Sequence, residues 1–276
     1  MSQFNPLTKL IAGCLIAIGV LVALLPSNGP NRSGESLMVY CAASLRRPLE
    51  EVAARFEGEE GVSVQLQFGG SNTLLSQIEA SRQGDLFLSA DRRYLDVGRE
   101  RGLIGEIISV AQMRPVVVVR RGRGDSVRTL DDLLELRLAS GSPDQAAIGR
   151  VTRDLLRAAG RWDAFDQRVR TAGVYKPTVN DVAADVVLGS VDAGIVWDAL
   201  AAQMPELEAI SLPELAEGRS EIGIGVLTSS KAPAAALRFA RNLIADDGGA
   251  EVFRSYGYQA VATAEGRGTT ESGAPP

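Results

Sequence analysis

Leu37-Met38-Val39-Tyr40-Cys41-Ala42-Ala43-Ser44-Leu45 runs from a buried-strand pattern into a turn of small residues, and Leu49, Val52, Ala53 and Phe56 follow at the three- and four-residue spacing of a helix. Val62-Ser63-Val64-Gln65-Leu66-Gln67-Phe68 then alternates as a strand, which completes a βαβ unit with its two strands parallel. The same alternation continues outward. Leu74, Leu75 and Ile78 mark a second helix ending near Gly84, and Asp85-Leu86-Phe87-Leu88-Ser89-Ala90 reads as a third strand. Residues 116–119, 138–140, 170–175, 193–197, 208–212 and 222–227 read as further strands, with helices over 151–159, 179–188, 234–244 and 250–256. The unit count suits two sheets better than one, so the expected fold class is α/β with two lobes, a parallel-rich sheet in each, and a cleft between them.

Bulk properties narrow the function. The chain has 276 residues, 45% of them apolar and 23% charged, enough to bury a sizeable core. A formal charge of -5 offers no basic surface for a phosphate backbone, which argues against nucleic acid as a partner. There is no histidine at all, which removes Ser-His-Asp and Cys-His activation, the commonest general base and the usual imidazole metal ligands. With no Gly-rich phosphate loop and no metal-ligand spacing either, the expectation is a protein that is not an enzyme and carries no cofactor. Cys14 and Cys41 are too few and too far apart for a disulfide scaffold, and Cys41 reads as a buried thiol.

The first 36 residues read as a signal peptide or membrane anchor plus linker. An apolar run spans 10–25 after Lys9 and is closed by Pro26 and a polar stretch. Its 16 residues fall short of the ~20 that usually span a bilayer. Three outcomes stay open: a cleaved signal, a retained anchor through residues 10–25, and lipid attachment at Cys14, which ends the string Ile11-Ala12-Gly13-Cys14. Each places the remainder in the periplasm or on the extracytoplasmic face. At the other end, residues 266–276 lack the side chains to pack and read as a disordered tail.

In open α/β sheets, ligands bind where the carboxyl ends of strands lead into helix N-termini. Two such junctions repeat one device: Ala42-Ala43-Ser44-Leu45 after the first strand, and Gly69-Gly70-Ser71-Asn72-Thr73 after the second. Ser44 and Ser71 are read as N-caps of the helices that follow. Serine caps helices without any ligand. Its recurrence at neighbouring junctions, however, puts two hydroxyls and their adjoining N–H groups where they can converge on a tetrahedral oxyanion.

The runs Tyr40-Cys41-Ala42-Ala43-Ser44-Leu45, Phe68-Gly69-Gly70-Ser71-Asn72-Thr73-Leu74, Gly84-Asp85-Leu86-Phe87-Leu88-Ser89-Ala90-Asp91 and Asp192-Ala193-Gly194-Ile195-Val196-Trp197 resemble, in order and spacing, the motif set of periplasmic molybdate-binding proteins. The resemblance covers about 37–261 and is most specific in its first half. It implies a type II periplasmic-binding-protein fold, with lobe I formed by 37–114 and 222–265 and lobe II by 115–221. The implied activity is capture of molybdate or tungstate for a membrane permease of an ABC-type importer, by a monomer. Ser44 and Ser71 would then contact the oxygens of the metal oxyanion. Lobe II would add N–H groups near Ile148, after Asp144, and near Val179, on a helix capped by Thr178.

The chain departs from that family's pattern at three positions. Trp197 stands where the family usually has a ligand-binding tyrosine, Ile148 where it has a small residue, and Cys41 where it more often has alanine. Lys176 is read as a strand-end lysine that could point a charge at the cleft. A phosphate site would need a carboxylate to accept the proton that phosphate carries. Asp85, Asp91, Asp181 and Asp198 are the candidates, each more simply a cap or surface charge. The alternative functions are a binding protein for another anion, such as sulfate or an organic acid, and a membrane-tethered sensor.

Overall fold

The computed structural model describes residues 35–260. The apolar segment 10–25, Cys14 and the tail 266–276 lie outside the described residues, and no helix among those described is long and apolar enough to cross a membrane. Strand β1 (Ser36–Ala42) pairs in parallel with both β2 (Ser63–Gly69) and β3 (Leu86–Ser89). Flanked on both edges and covered on both faces, β1 and β3 are apolar almost without interruption. Edge strand β2 alternates between exposed and half-buried positions, which is why its sequence reads Val-Gln-Leu-Gln.

The first sheet has the order β2-β1-β3-β10-β4, where β10 (Ser220–Leu227) runs antiparallel to both β3 and β4 (Ile104–Met113). The second has the order β7-β6-β8-β5-β9, built from β5 (Pro115–Arg120), β6 (Leu138–Gly141), β7 (Gly173–Lys176), β8 (Ala193–Trp197) and β9 (Leu207–Ile210). The architecture is therefore two-lobed and mixed α/β. Both sheets carry parallel pairs at one side and antiparallel pairs where the chain passes between lobes. Lobe I denotes the half built on the first sheet and lobe II the half built on the second. Arg114 alone separates β4 from β5, and the return leads from β9 through the short helix Pro213–Ala216 into β10.

Helix α1 (Arg46–Glu60) buries Leu49, Val52, Ala53 and Phe56 and stops at Gly61, whose φ of 68° lets its N–H close back on the Glu57 carbonyl at 3.0 Å. Phe56 meets Phe239 of helix Pro233–Asn242 edge to face, with centroids 5.0 Å apart. Such a pair adds about 0.5–1.5 kcal/mol beyond its buried area. Cys41 is a buried free thiol, its pKa raised by that burial.

The structure corrects two sequence expectations about elements. Residues 170–172 belong to the helix Trp162–Ala172, not to a strand, and β7 begins only at Gly173. Arg170 pairs with Asp166 one turn back at 2.8 Å and Thr171 bonds the Gln167 carbonyl, local contacts that outweigh the β-branched character of the run. Gly173 makes the switch because a Cβ there would lie 3.0 Å from the Val169 carbonyl and closer still to that of Leu138. The ten-residue strand β4 has no counterpart among the expected strands. Its pairing with β10 shifts register between Ile222 and Gly223 and again between Gly225 and Leu227, and such irregularities erase the two-residue period by which a strand is recognised.

Candidate functional site

Four strand-to-helix junctions, two from each lobe, and the end of β8 meet around one small, tightly closed pocket of about 10 Å³. From lobe I, β1 leads through a single 3-10 turn (Ala43–Leu45) into α1, and β2 leads through Gly70 into α2 (Ser71–Ser81). From lobe II come the start of α5 (Ala147–Ala158) and the start of α7 (Val179–Leu188), where α3 denotes Arg92–Glu100, α4 Leu130–Leu134 and α6 the helix Trp162–Ala172. Ser44, Ser71, Ile148, Val179 and Trp197, singled out from the sequence for separate reasons, all line this pocket.

Neither serine is an N-cap, contrary to the expectation. Ser44 sits in the middle of the 3-10 turn, and the residue before α1 is Leu45, which offers no capping side chain. The 3-10 turn delays the start of α1 by one residue, to Arg46, and no helix amide bonds the Ser44 hydroxyl. Its Oγ is buried and has no hydrogen-bond partner among the described residues. Ser71 is the first residue of α2, after Gly70 in an extended conformation. Its Oγ accepts from the Ala90 N–H at 3.3 Å, joining the ends of β2 and β3.

The lobe II junctions supply backbone. Helix α5 has no side-chain cap at Ala146, so its first-turn N–H groups, at Ala147, Ile148 and Gly149, have no partner within the helix. Helix α7 is capped by Thr178, whose Oγ1 accepts from the Asp181 N–H at 3.2 Å, leaving the Val179 N–H for the pocket. Trp197 closes the remaining side and is 1% exposed. No ionisable side chain lines the pocket. The local potential therefore comes from helix N-termini and unpaired donors, a positive field without a formal charge.

The four aspartates and Lys176 are committed elsewhere. Asp85 accepts from the Met38 N–H and the Ser230 hydroxyl, Asp91 caps α3, Asp181 bonds Thr178, and Asp198 accepts from the Arg114 and Ala199 N–H groups. Lys176 pairs with Asp185 at 2.8 Å.

The lobes touch directly around the pocket. The Asn72 N–H donates to the Gln145 carbonyl at 3.1 Å, and Asn72 Nδ2 to that of Asp144 at 2.6 Å. Gly70 is forced here: a Cβ on it would lie 2.5 Å from the Gln145 oxygen and 2.7 Å from that of Pro177. On another flank Arg150, in the first turn of α5, forms an ion pair with Asp91, with both side chains largely buried. Burial, the largest single influence, works to lower the Arg150 pKa, and the charge and hydrogen bond of Asp91 together with Tyr94 and Asp154 outweigh it, so the net direction is upward. Tyr258, from the C-terminal segment, donates its phenol hydrogen to the Ser44 carbonyl at 2.5 Å, and burial pushes its own pKa up. Sequence reasoning missed Tyr258, the Asp91–Arg150 pair and the interlobe role of Gly70. Only Gly70 carried a signal, in the doublet Gly69-Gly70.

The family model for bacterial extracellular solute-binding proteins matches residues 37–259 of this chain. The chain belongs to that family. It is 27% identical to the molybdate-binding protein ModA of Escherichia coli (strain K12) over 261 residues, 91% of this chain and 96% of that one. Among solved structures, the Azotobacter vinelandii periplasmic molybdate-binding protein superposes with a TM-score of 0.70 at 19% identity, over 82% of this chain and all of that one. The sulfate-binding protein SubI from Mycobacterium tuberculosis H37Rv superposes with a TM-score of 0.72 at 18% identity, over 83% and 88%. At those identities the two structures speak for the fold. They agree with the two-lobed, mixed α/β architecture of this chain.

Proposed function

We propose that this protein captures a tetrahedral oxyanion, molybdate or tungstate, on the extracytoplasmic side of the membrane and delivers it to the permease of an ABC-type importer, without chemistry of its own. The observation that carries the reading is the Ser44 hydroxyl, buried without a partner beside unpaired helix N-termini in a pocket free of carboxylates. A buried polar group without a partner costs about 1–3 kcal/mol, and a fold keeps such a group where a ligand satisfies it. A pocket rich in donors and free of carboxylates suits an anion that arrives fully deprotonated, as molybdate, tungstate and sulfate do. Phosphate, which carries a proton near neutral pH, would find only serine hydroxyl oxygens to accept it and no carboxylate. Ser44, Ser71, the N–H groups at Ile148 and Val179, and the Trp197 indole are the proposed contacts, with lobe I formed by 37–114 and 222–265 and lobe II by 115–221.

Among unprotonated dianions the choice falls to size, since a rigid ring of neutral donors discriminates by fit. The named relative favours molybdate, and the fold likeness to a sulfate-binding protein makes sulfate the second reading. Titration calorimetry of the full chain in detergent with molybdate, tungstate, sulfate and phosphate separates them. Tight binding of the two larger oxyanions alone supports the first reading, and preference for sulfate the second. Absence of binding by every tetrahedral anion rejects both and brings an organic acid forward.

A further inference from the structure

A second cavity adjoins the buried pocket and shares Ala43 and Ser44 with it as a common wall. It offers about 180 Å³ between the lobes, with Arg46 and Arg47 from α1 on one side and Asn180, Leu200, Gln203 and Met204 from lobe II on the other. The other flanks of the buried pocket are shut by interlobe contacts: Asn72 on Asp144 and Gln145, and Arg150 on Asp91. On the side of the second cavity Gln203 links the lobes by two hydrogen bonds, a long one from Arg47 to its carbonyl at 3.4 Å and one from its Nε2 to the Tyr256 carbonyl at 3.1 Å, and no ion pair crosses there among the described residues.

We propose that this cavity is the vestibule through which the anion reaches and leaves the buried pocket, and that Arg46 and Arg47 form an outer anion-binding subsite in it. The inference rests on the oxyanion reading of the buried pocket. A chain of net charge -5 repels a dianion at long range, so productive encounter needs local positive charge at the mouth. Arg47 has no carboxylate partner among the described residues, and Arg46 has a single one, Glu50 at 3.2 Å, with its guanidinium stacked over Phe68. The buried Asn180 Oδ1 also lacks a partner, and a half-turn of that amide would present Nδ2 donors to the passing anion. Ser44, on the wall common to both cavities, is where an anion leaving the arginines would first meet the neutral donors. The subsite takes small dianions of either size without selecting among them, since two exposed guanidinium groups attract charge and not shape. Selection falls to the inner pocket.

The test is stopped-flow binding of molybdate, followed through tryptophan fluorescence, with the full chain and its Arg46→Gln, Arg47→Gln and doubly substituted variants, at ionic strengths from about 20 mM to about 300 mM. Arg99→Gln, which removes the same charge from a surface pair with Asp96, is the control. The expected result is an association rate for the double variant about 3- to 10-fold lower at low salt, with a flatter salt dependence and a dissociation rate changed less than about 2-fold. The control should follow the wild type. An unchanged association rate, or a loss confined to dissociation, overturns the vestibule while leaving the inner site standing. A wild-type chain that binds no oxyanion overturns both.

Discussion

The Tyr258 phenol and the Ser44 carbonyl, 214 residues apart in the chain, meet at 2.5 Å. The contact ties the C-terminal segment to the turn that carries the unpartnered hydroxyl. Tyr258→Phe should leave that carbonyl buried and unsatisfied, at about 1–3 kcal/mol in folding stability. It should also weaken oxyanion binding several-fold as the turn loosens. Urea unfolding and calorimetry on the same variant check both numbers.

Ser44→Ala and Ser71→Ala should differ in kind. Removing a hydroxyl that has no partner costs the ligand-free protein nothing, so Ser44→Ala should keep or slightly raise the melting temperature. Its anion affinity should fall by about 1.5–3 kcal/mol, the worth of a hydrogen bond to a charged group. Ser71→Ala also strips the Ala90 N–H of its acceptor and should lower stability by about 1 kcal/mol along with affinity. Equal stability losses in the two variants would contradict the assignment of Ser44.

Gly70→Ala probes closure. The added methyl group would collide with two backbone oxygens of lobe II, which cannot move aside as a side chain can. Lobe I should still fold, with a strain of about 1–3 kcal/mol directed against the closed form. Small-angle scattering should show a variant that fails to contract on adding ligand.

The Asp91–Arg150 pair is testable by a double-mutant cycle. Asp91→Asn or Arg150→Gln alone leaves one group unpaired and largely buried, at about 3–5 kcal/mol at the upper end, while the double variant recovers part of the loss. The coupling should appear in ligand affinity as well as in unfolding, because the pair joins the lobes beside the pocket.

Alkaline pH should destabilise the protein. Burial first, then the Asp91 charge, pushes the Tyr94 pKa from 10.0 to about 12, and burial raises Tyr258 too. Above about pH 10 the unfolded chain gives up these protons while the folded one holds them, so the folded state binds more protons and stability falls as pH rises. The contribution is intact below about pH 10 and is lost at about 1.4 kcal/mol per pH unit for each tyrosine up to the folded value. Urea midpoints between pH 8 and pH 11 measure it.

Much of the molecule was legible where the signal is local. β1 and β3 announce themselves because burial on both faces demands continuous apolar residues, and α7 because Thr178 and Gly189 mark its ends. The strand β4 was illegible because its register shifts, and the helix end at 170–172 because the same residues satisfy either state until Gly173 settles the matter. At the pocket, Ser44 and Ser71 were found by position and misread in detail, since a 3-10 turn and an α-turn differ by one residue of winding that composition does not encode. Tyr258 and the Asp91–Arg150 pair depend on distant segments meeting, and no local pattern announces them.

Every residue except proline carries a peptide N–H, so the donors at Ala147, Ile148 and Val179 survive almost any codon change at those positions. What such a change alters is the width of the opening. If those amides hold the ligand as proposed, a lineage can drift from one anion to another by exchanging methyl groups, and a new preference can arise without a new binding group.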